Sequence, residues 1–167
     1  MYGIQSIHKA LNDEDIGTIL GTDAKIIRYS ELRHIDDLDK LLTTNLDYCI
    51  ILYEDRHDRG QWTTLSRYNG IYEHFASYGN KPDKSLEWVN LKTRRRLNEA
   101  TPYLTNLLHK KHYIYINANY QDRDNYVNAC GSHAAHKLYR LKNGGKDLHT
   151  YYNSMKHIMT SSTPTTI

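Results

Sequence analysis

Tyr48-Cys49-Ile50-Ile51-Leu52-Tyr53 is an unbroken apolar run of strand length. Six such residues without polar alternation predict a central strand buried on both faces. Just after it, Glu54 to Gly60 is charged and ends in glycine, so a loop is expected there. Gln61 to Tyr68 and Gly70 to Tyr78 then read as two strands joined at Arg67-Tyr68-Asn69-Gly70. Asn-Gly between strand-like runs is a strong hairpin signal, because both turn residues must take positive φ. Upstream, Asn12-Asp13-Glu14-Asp15 caps a short helix carrying Ile16, Ile19 and Leu20 and stopped by Gly21. Ala24 to Tyr29 is a short β-like run, and Ser30-Glu31-Leu32 with Asp36 to Leu42 reads as a second helix.

Downstream, Asn80-Lys81-Pro82-Asp83 is a turn. Helical segments are expected from Ser85 to Asn90, Arg94 to Leu97 and Pro102 to Leu108, the last with proline in its first turn. Tyr113 to Asn117 is another strand. Asp122 to Asn128 is a polar loop, Ala129 to Leu141 a helix stopped by Asn143-Gly144-Gly145, and Leu148 to Met159 a last helix. This order predicts one α+β domain over 1–159, a small mixed sheet flanked by helices, and an extended polar tail over 160–167.

The chain has 167 residues, 39% of them apolar and 25% charged, the profile of a globular protein. Its 15 Tyr against a single Phe point to many half-buried rings with a polar tip. A net charge of +3 is too weak to imply nucleic acid by itself. The basic run Lys92, Arg94, Arg95, Arg96 makes such a contact conceivable, but it reads more simply as a solvated helix face with Glu99 nearby. No apolar run approaches the roughly 20 residues of a membrane span, and no secretory signal is visible at the N-terminus. Two cysteines, Cys49 and Cys130, make no disulfide framework, and Cys49 inside the apolar run is expected to be a buried thiol. No ligand spacing resembles a zinc motif, and neither a metal nor another cofactor is expected.

The stretch that carries chemistry is Tyr120-Gln121, a polar loop, then Asn128-Ala129-Cys130-Gly131-Ser132-His133 opening a helix. A cysteine at a helix N-terminus has its thiolate favoured by unpaired N–H groups and by the dipole. Gly131 admits close approach of a substrate backbone, and the Gln121 side chain offers an N–H to an oxyanion. The competing reading is a small buried core cysteine.

Gly60-Gln61-Trp62, Ile71-Tyr72-Glu73-His74-Phe75-Ala76-Ser77-Tyr78-Gly79 and Gln121…Asn128-Ala129-Cys130-Gly131 occur in that order. Together they resemble the landmarks of the cysteine protease family that joins adenovirus maturation proteases and SUMO-specific proteases, most of all its members from large DNA viruses and virophages. Those sequences read Gly-His-Trp, then Phe-Asp-Ser-Tyr-Gly, then Gln, then Thr-Cys-Gly. The likeness runs from about Leu11 to Met159, with Ile51-Leu52-Tyr53-Glu54 and Lys81-Pro82-Asp83 as fitting flanks. It implies a papain-like or adenain-like domain with Cys130 at the nucleophile position, Gln121 at the oxyanion position, and Trp62 and Gly131 in the groove.

The pattern breaks twice. Gln61 stands where the resemblance puts the catalytic histidine, and Ala76 where it puts the acidic group that orients it. A cysteine protease needs a base for the thiol and an acid for the leaving amine, and glutamine is neither near neutral pH. Loss of the base removes several orders of magnitude in rate. The expectation is therefore a catalytically dead protease fold serving as a structural or interaction component of a virion, such as a minor capsid protein, in a particle or in the host cytoplasm or viral factory. Its partners would be other viral structural proteins, or a peptide segment in the former active-site groove. The alternative is an active viral endopeptidase processing capsid precursors with a displaced histidine, drawn from His57, His74 or His133. A third reading is a binder of ubiquitin-like modifiers.

Overall fold

The protein is described by a computed structural model, which describes residues 13–21, 25–56 and 59–116. Helix α1 covers Asp13–Leu20, and strand β1 covers Ile26–Arg28. A 3-10 helix over Tyr29–His34 and helix α2 over Leu38–Leu41 lead into β2, Leu46–Arg56. Strands β3, Arg59–Tyr68, and β4, Ile71–Ala76, form the expected hairpin. Asn69 and Gly70 take φ of 48° and 81°, the pair of positive values that a two-residue turn of primed type demands. A 3-10 helix over Lys84–Trp88, helices α3, Leu91–Arg96, and α4, Tyr103–Leu108, and strand β5, Tyr113–Tyr115, complete the order.

The strands lie in one sheet in the order β1-β2-β3-β4-β5, with β1–β2 and β4–β5 parallel and the two central pairings antiparallel. This is the mixed sheet with flanking helices expected of an α+β chain. Of the boundaries that differ from the sequence reading, two bear on the core and the cleft. Glu54 to Arg56 extend β2 and Arg59-Gly60 open β3, so most of the expected 54–60 loop is strand. Charge made that stretch look like loop, yet Glu54 is buried and its N–H is bound by a side chain 45 residues away. Tyr29 leaves β1 to start the 3-10 helix, because its ring is the anchor that fixes that helix to the core.

Strand alternation sorts the side chains onto two faces. On one face Cys49, Ile51, Tyr53, Leu65, Tyr72 and Tyr113 pack against Tyr29, Leu32, Leu38, Leu42, Leu104 and Leu108. The other face buries Ile50, Leu52, Trp62 and Phe75. Both faces of β2 are thus withdrawn from water, as its continuous apolar run requires. Cys49 is a free, buried thiol, and burial pushes it up to about 12. Lys111 ties α2 to the sheet by reaching Asp37 at 2.9 Å and Asp39 at 3.0 Å, and Asp39 also accepts from the Tyr72 hydroxyl.

Candidate functional site

Gln61 lies in β3 directly opposite Tyr53 of β2, and Thr63, two residues along the same face, lies opposite Ala76 of β4. Gln61 and Ala76 therefore share one face of adjacent strands, set diagonally, and this is the face that carries the main core. Trp62 points to the other face and is buried there. The sequence-singled residues Gln121, Cys130, Gly131, His133 and His57 lie outside the described residues, as do the expected 122–128 loop and the helices over 129–141 and 148–159.

Gln61 opens onto a cleft of about 190 Å³. Its floor is the β2–β3 end: Tyr53, Glu54, Asp55 and Gly60. The segment after β4 lines it through Tyr78, Leu86 and Trp88, and Glu99 lines it as well. Tyr78 and Trp88 meet edge to face with ring centroids 5.1 Å apart, and Trp88, 44% exposed, lines the cleft rather than the core. Gln61 is 8% exposed, and neither end of its amide has a hydrogen-bond partner among the described residues. A buried amide without partners costs folding free energy on the order of 1–3 kcal/mol, so a group that comes into the cleft to pair with it is favoured.

Local structure explains how Glu99 reaches this place. Helix α3 starts at Asn90, whose side chain accepts from the Thr93 N–H at 2.9 Å. It ends with Asn98 in the left-handed region at φ 58°. The Asn98 N–H donates to the Arg95 carbonyl at 3.2 Å and the Glu99 N–H to the Arg94 carbonyl at 2.8 Å, the paired bonds of a Schellman ending. That ending reverses the chain and turns Glu99 inward. β1 stops opposite Leu52, so beyond it the Glu54 N–H is bound instead by Glu99 Oε1 at 2.8 Å. Glu99 is fully buried, and its Oε2 has no hydrogen-bond partner among the described residues. Burial, reinforced by the nearby Glu54 and Asp55 charges against the pull of the Glu54 N–H, raises its carboxyl to about 8. Glu54 has a partial counter-charge, with Arg28 Nε 3.7 Å from its Oε1.

Glu99 and Glu54 were not singled out by the sequence. After Arg94-Arg95-Arg96, Glu99 looks like a surface ion-pair partner, and the expectation that it lies on a solvated face is corrected by its complete burial. The basic side chains behave as expected of such a face: Lys92, Arg95 and Arg96 are exposed and Arg94 is half-buried.

His74, the candidate substitute base within the described residues, shares the Gln61–Ala76 face but is buried against Leu65 on the neighbouring strand. Burial lowers its imidazole to about 4, outweighing a small opposing effect of the Asn80 backbone, which lies close but not in hydrogen-bond geometry. His74 is thus neutral near pH 7 and withdrawn from solvent. As pH falls from 6.5 towards 4, the unfolded chain takes up a proton at this residue and the folded chain does not, so stability falls across that window, by about 3 kcal/mol in all. His74→Leu should leave stability at pH 7 unchanged or raised, since it removes an unpaired buried polar group, and should flatten the loss between pH 6.5 and 4. Urea midpoints of the two proteins measured from pH 7 to pH 4 test this. A parallel decline in both would contradict it. Glu99 acts in the opposite sense, because its raised carboxyl weakens the fold as pH rises from 4.5 through 8.

Among the described residues no group of three or more His, Cys, Asp and Glu forms a metal-binding cluster, and no helix is long and apolar enough to cross a membrane. No family model matches the sequence. The crystal structure of ASFV pS273R protease superposes with a TM-score of 0.42 at 15% identity, over 72% of this chain and 50% of that protein, so the chain spans about half its length. The uncharacterized protein V9 of Sputnik virophage is 33% identical over 153 residues, which are 86% of this chain and 87% of V9. Identity of that order, spread over most of both sequences rather than confined to one motif, marks common descent, and the chain belongs to the family of Sputnik virophage protein V9.

Proposed function

We propose that this protein is a virophage-type structural or interaction component built on a cysteine-protease-like fold that has lost its catalytic base and acid. The observation that carries the reading is the placing of Gln61 and Ala76 on one face of adjacent strands, at the two positions that the motif order assigns to histidine and acid. Neither side chain can take a proton from a thiol or give one to a leaving amine near neutral pH. His74 on that face is buried and held neutral, so it supplies no accessible base there. What remains is a cleft beside Gln61, whose amide has no partner among the described residues, a feature suited to holding a chain segment rather than cutting it. The virophage origin of V9 supports a viral setting, and with it a neighbouring virion protein as partner.

Alkylation of Cys130 by iodoacetamide tests the reading. Without a histidine partner no base takes the proton from the thiol, so the rate should rise with pH as the thiol ionises rather than stay flat. Buried Cys49 should stay unmodified in the folded chain, and Cys130→Ser should abolish the signal. A fast, flat reaction below pH 7, together with cleavage of peptide substrates, would show an activated thiolate and restore the endopeptidase reading.

A further inference from the structure

The cleft beside Gln61 has a composition opposite to that of the chain. The protein carries 22 Lys and Arg against 19 Asp and Glu, yet among the described residues the cleft is lined by three carboxylate residues, Glu54, Asp55 and Glu99, and by no Lys or Arg. Arg28, which faces Glu54 at 3.7 Å, does not line it. Two buried polar groups lining it are left open: Glu99 Oε2 and both ends of the Gln61 amide have no hydrogen-bond partner among the described residues. Trp88 and Tyr78 add an aromatic wall at one side.

We propose that this cleft is a recognition pocket for a cationic side chain, lysine or arginine, carried by a peptide segment of a partner protein. The proposal rests on the interaction-protein reading above and names what the groove recognises. The volume of about 190 Å³ has room for one long side chain. An ammonium or guanidinium in the cleft donates to the Gln61 carbonyl oxygen and to Glu99 Oε2, acceptors without a partner among the described residues, and the Glu99 carboxyl, raised to about 8 by burial, releases its proton to solvent as the cation takes its place. Its aliphatic stem lies along Tyr53 and Leu86, while the half-exposed Trp88 ring offers a cation–π face at the mouth. An aliphatic side chain leaves these polar groups unpaired, and an acidic one meets the charges of Glu54 and Asp55.

The test uses the full chain and immobilised pools of hexapeptides of degenerate sequence, each pool carrying Lys, Arg, norleucine or Glu at one fixed central position. The Lys and Arg pools should bind at least about tenfold more tightly than the norleucine pool, the difference expected for one charge-assisted hydrogen bond in a buried site. The net charge of +3 repels cationic peptides, so it cannot produce this preference. Glu99→Gln, which keeps the acceptor for the Glu54 N–H, should remove most of the preference. Trp88→Ala, at a half-exposed position where folding is not at stake, should reduce it by about two- to fivefold. Equal binding of the Lys, Arg and norleucine pools overturns the cation pocket and leaves the peptide-groove reading in place. Binding of no pool overturns both. A Lys and Arg preference that survives in both variants places recognition elsewhere and overturns the pocket.

Discussion

Gly60→Ala should destabilise the fold by about 3 kcal/mol or more and erase the cleft, because the added methyl has nowhere to go. A Cβ at this position would lie 1.7 Å from the Tyr53 carbonyl oxygen, 2.7 Å from its carbon and 2.8 Å from the Glu54 Cα. These are backbone atoms of the neighbouring strand, so no rotamer change relieves the overlap. The β2–β3 ladder must open where Glu54 pairs with Gly60, just before the register shift between Glu54 and Arg56. The same movement displaces Tyr53, Glu54 and Gln61, all of which line the cleft. Gly70→Ala is the control. At φ 81° an alanine is strained by about 1 kcal/mol, but no atom lies within 4 Å of the new methyl. Denaturant midpoints for the two variants should differ by well over the error of the measurement. Similar small losses in both would show that the close approach at Gly60 is not a constraint in solution.

Tyr29→Ala should be comparably severe, costing about 3–5 kcal/mol, the range for deleting a large buried ring. Tyr29 is fully buried and stacks on Tyr53 with centroids 4.4 Å apart and planes 25° from parallel. Its hydroxyl donates to the Thr101 carbonyl at 3.2 Å and accepts from the Leu104 N–H at 3.4 Å. One side chain thus joins the first 3-10 helix, the sheet and the start of α4. Tyr53 extends the link, donating to Asp83 at 3.0 Å, while the other Asp83 oxygen accepts from the Thr105 N–H in the first turn of α4 at 2.7 Å. Tyr29→Phe keeps the stack and removes only the hydroxyl, so it should cost about 1–2 kcal/mol by leaving the Leu104 N–H and Thr101 carbonyl short of a partner. Thermal and urea unfolding of both variants separate ring from hydroxyl. Equal losses would mean that the polar contacts, not the packing, hold α4 in place.

These two positions show what was legible and what was not. The hairpin at Asn69-Gly70 and the two-sided burial of Ile50, Ile51 and Leu52 follow from local rules, turn chemistry and the absence of alternation, and both appear where the sequence put them. The candidate face was legible in part, since period-two alternation alone places His74 with Ala76. That Gln61 joins them depends on the register of β3 with β4, which a hairpin turn fixes. The strand character of Glu54 to Arg56 was hidden, because charged residues read as loop unless something distant buries them. The missing information was Glu99, whose inward turn is set by the Schellman ending of α3 and whose carboxyl binds the Glu54 N–H.

By itself the sequence determined the element types of the central sheet, the hairpin, and the residue identities Gln61 and Ala76 on which the proposed loss of catalysis rests. These depend on residue identity and on neighbours a few positions away. Only the tertiary structure decided that a chain of net positive charge gathers carboxyl groups in one cleft, with Glu54 from a strand end and Glu99 from a helix ending brought together. The reason is physical: a carboxylate's exposure and charge state depend on what covers it and what bonds it, and both are supplied here by segments 45 residues apart.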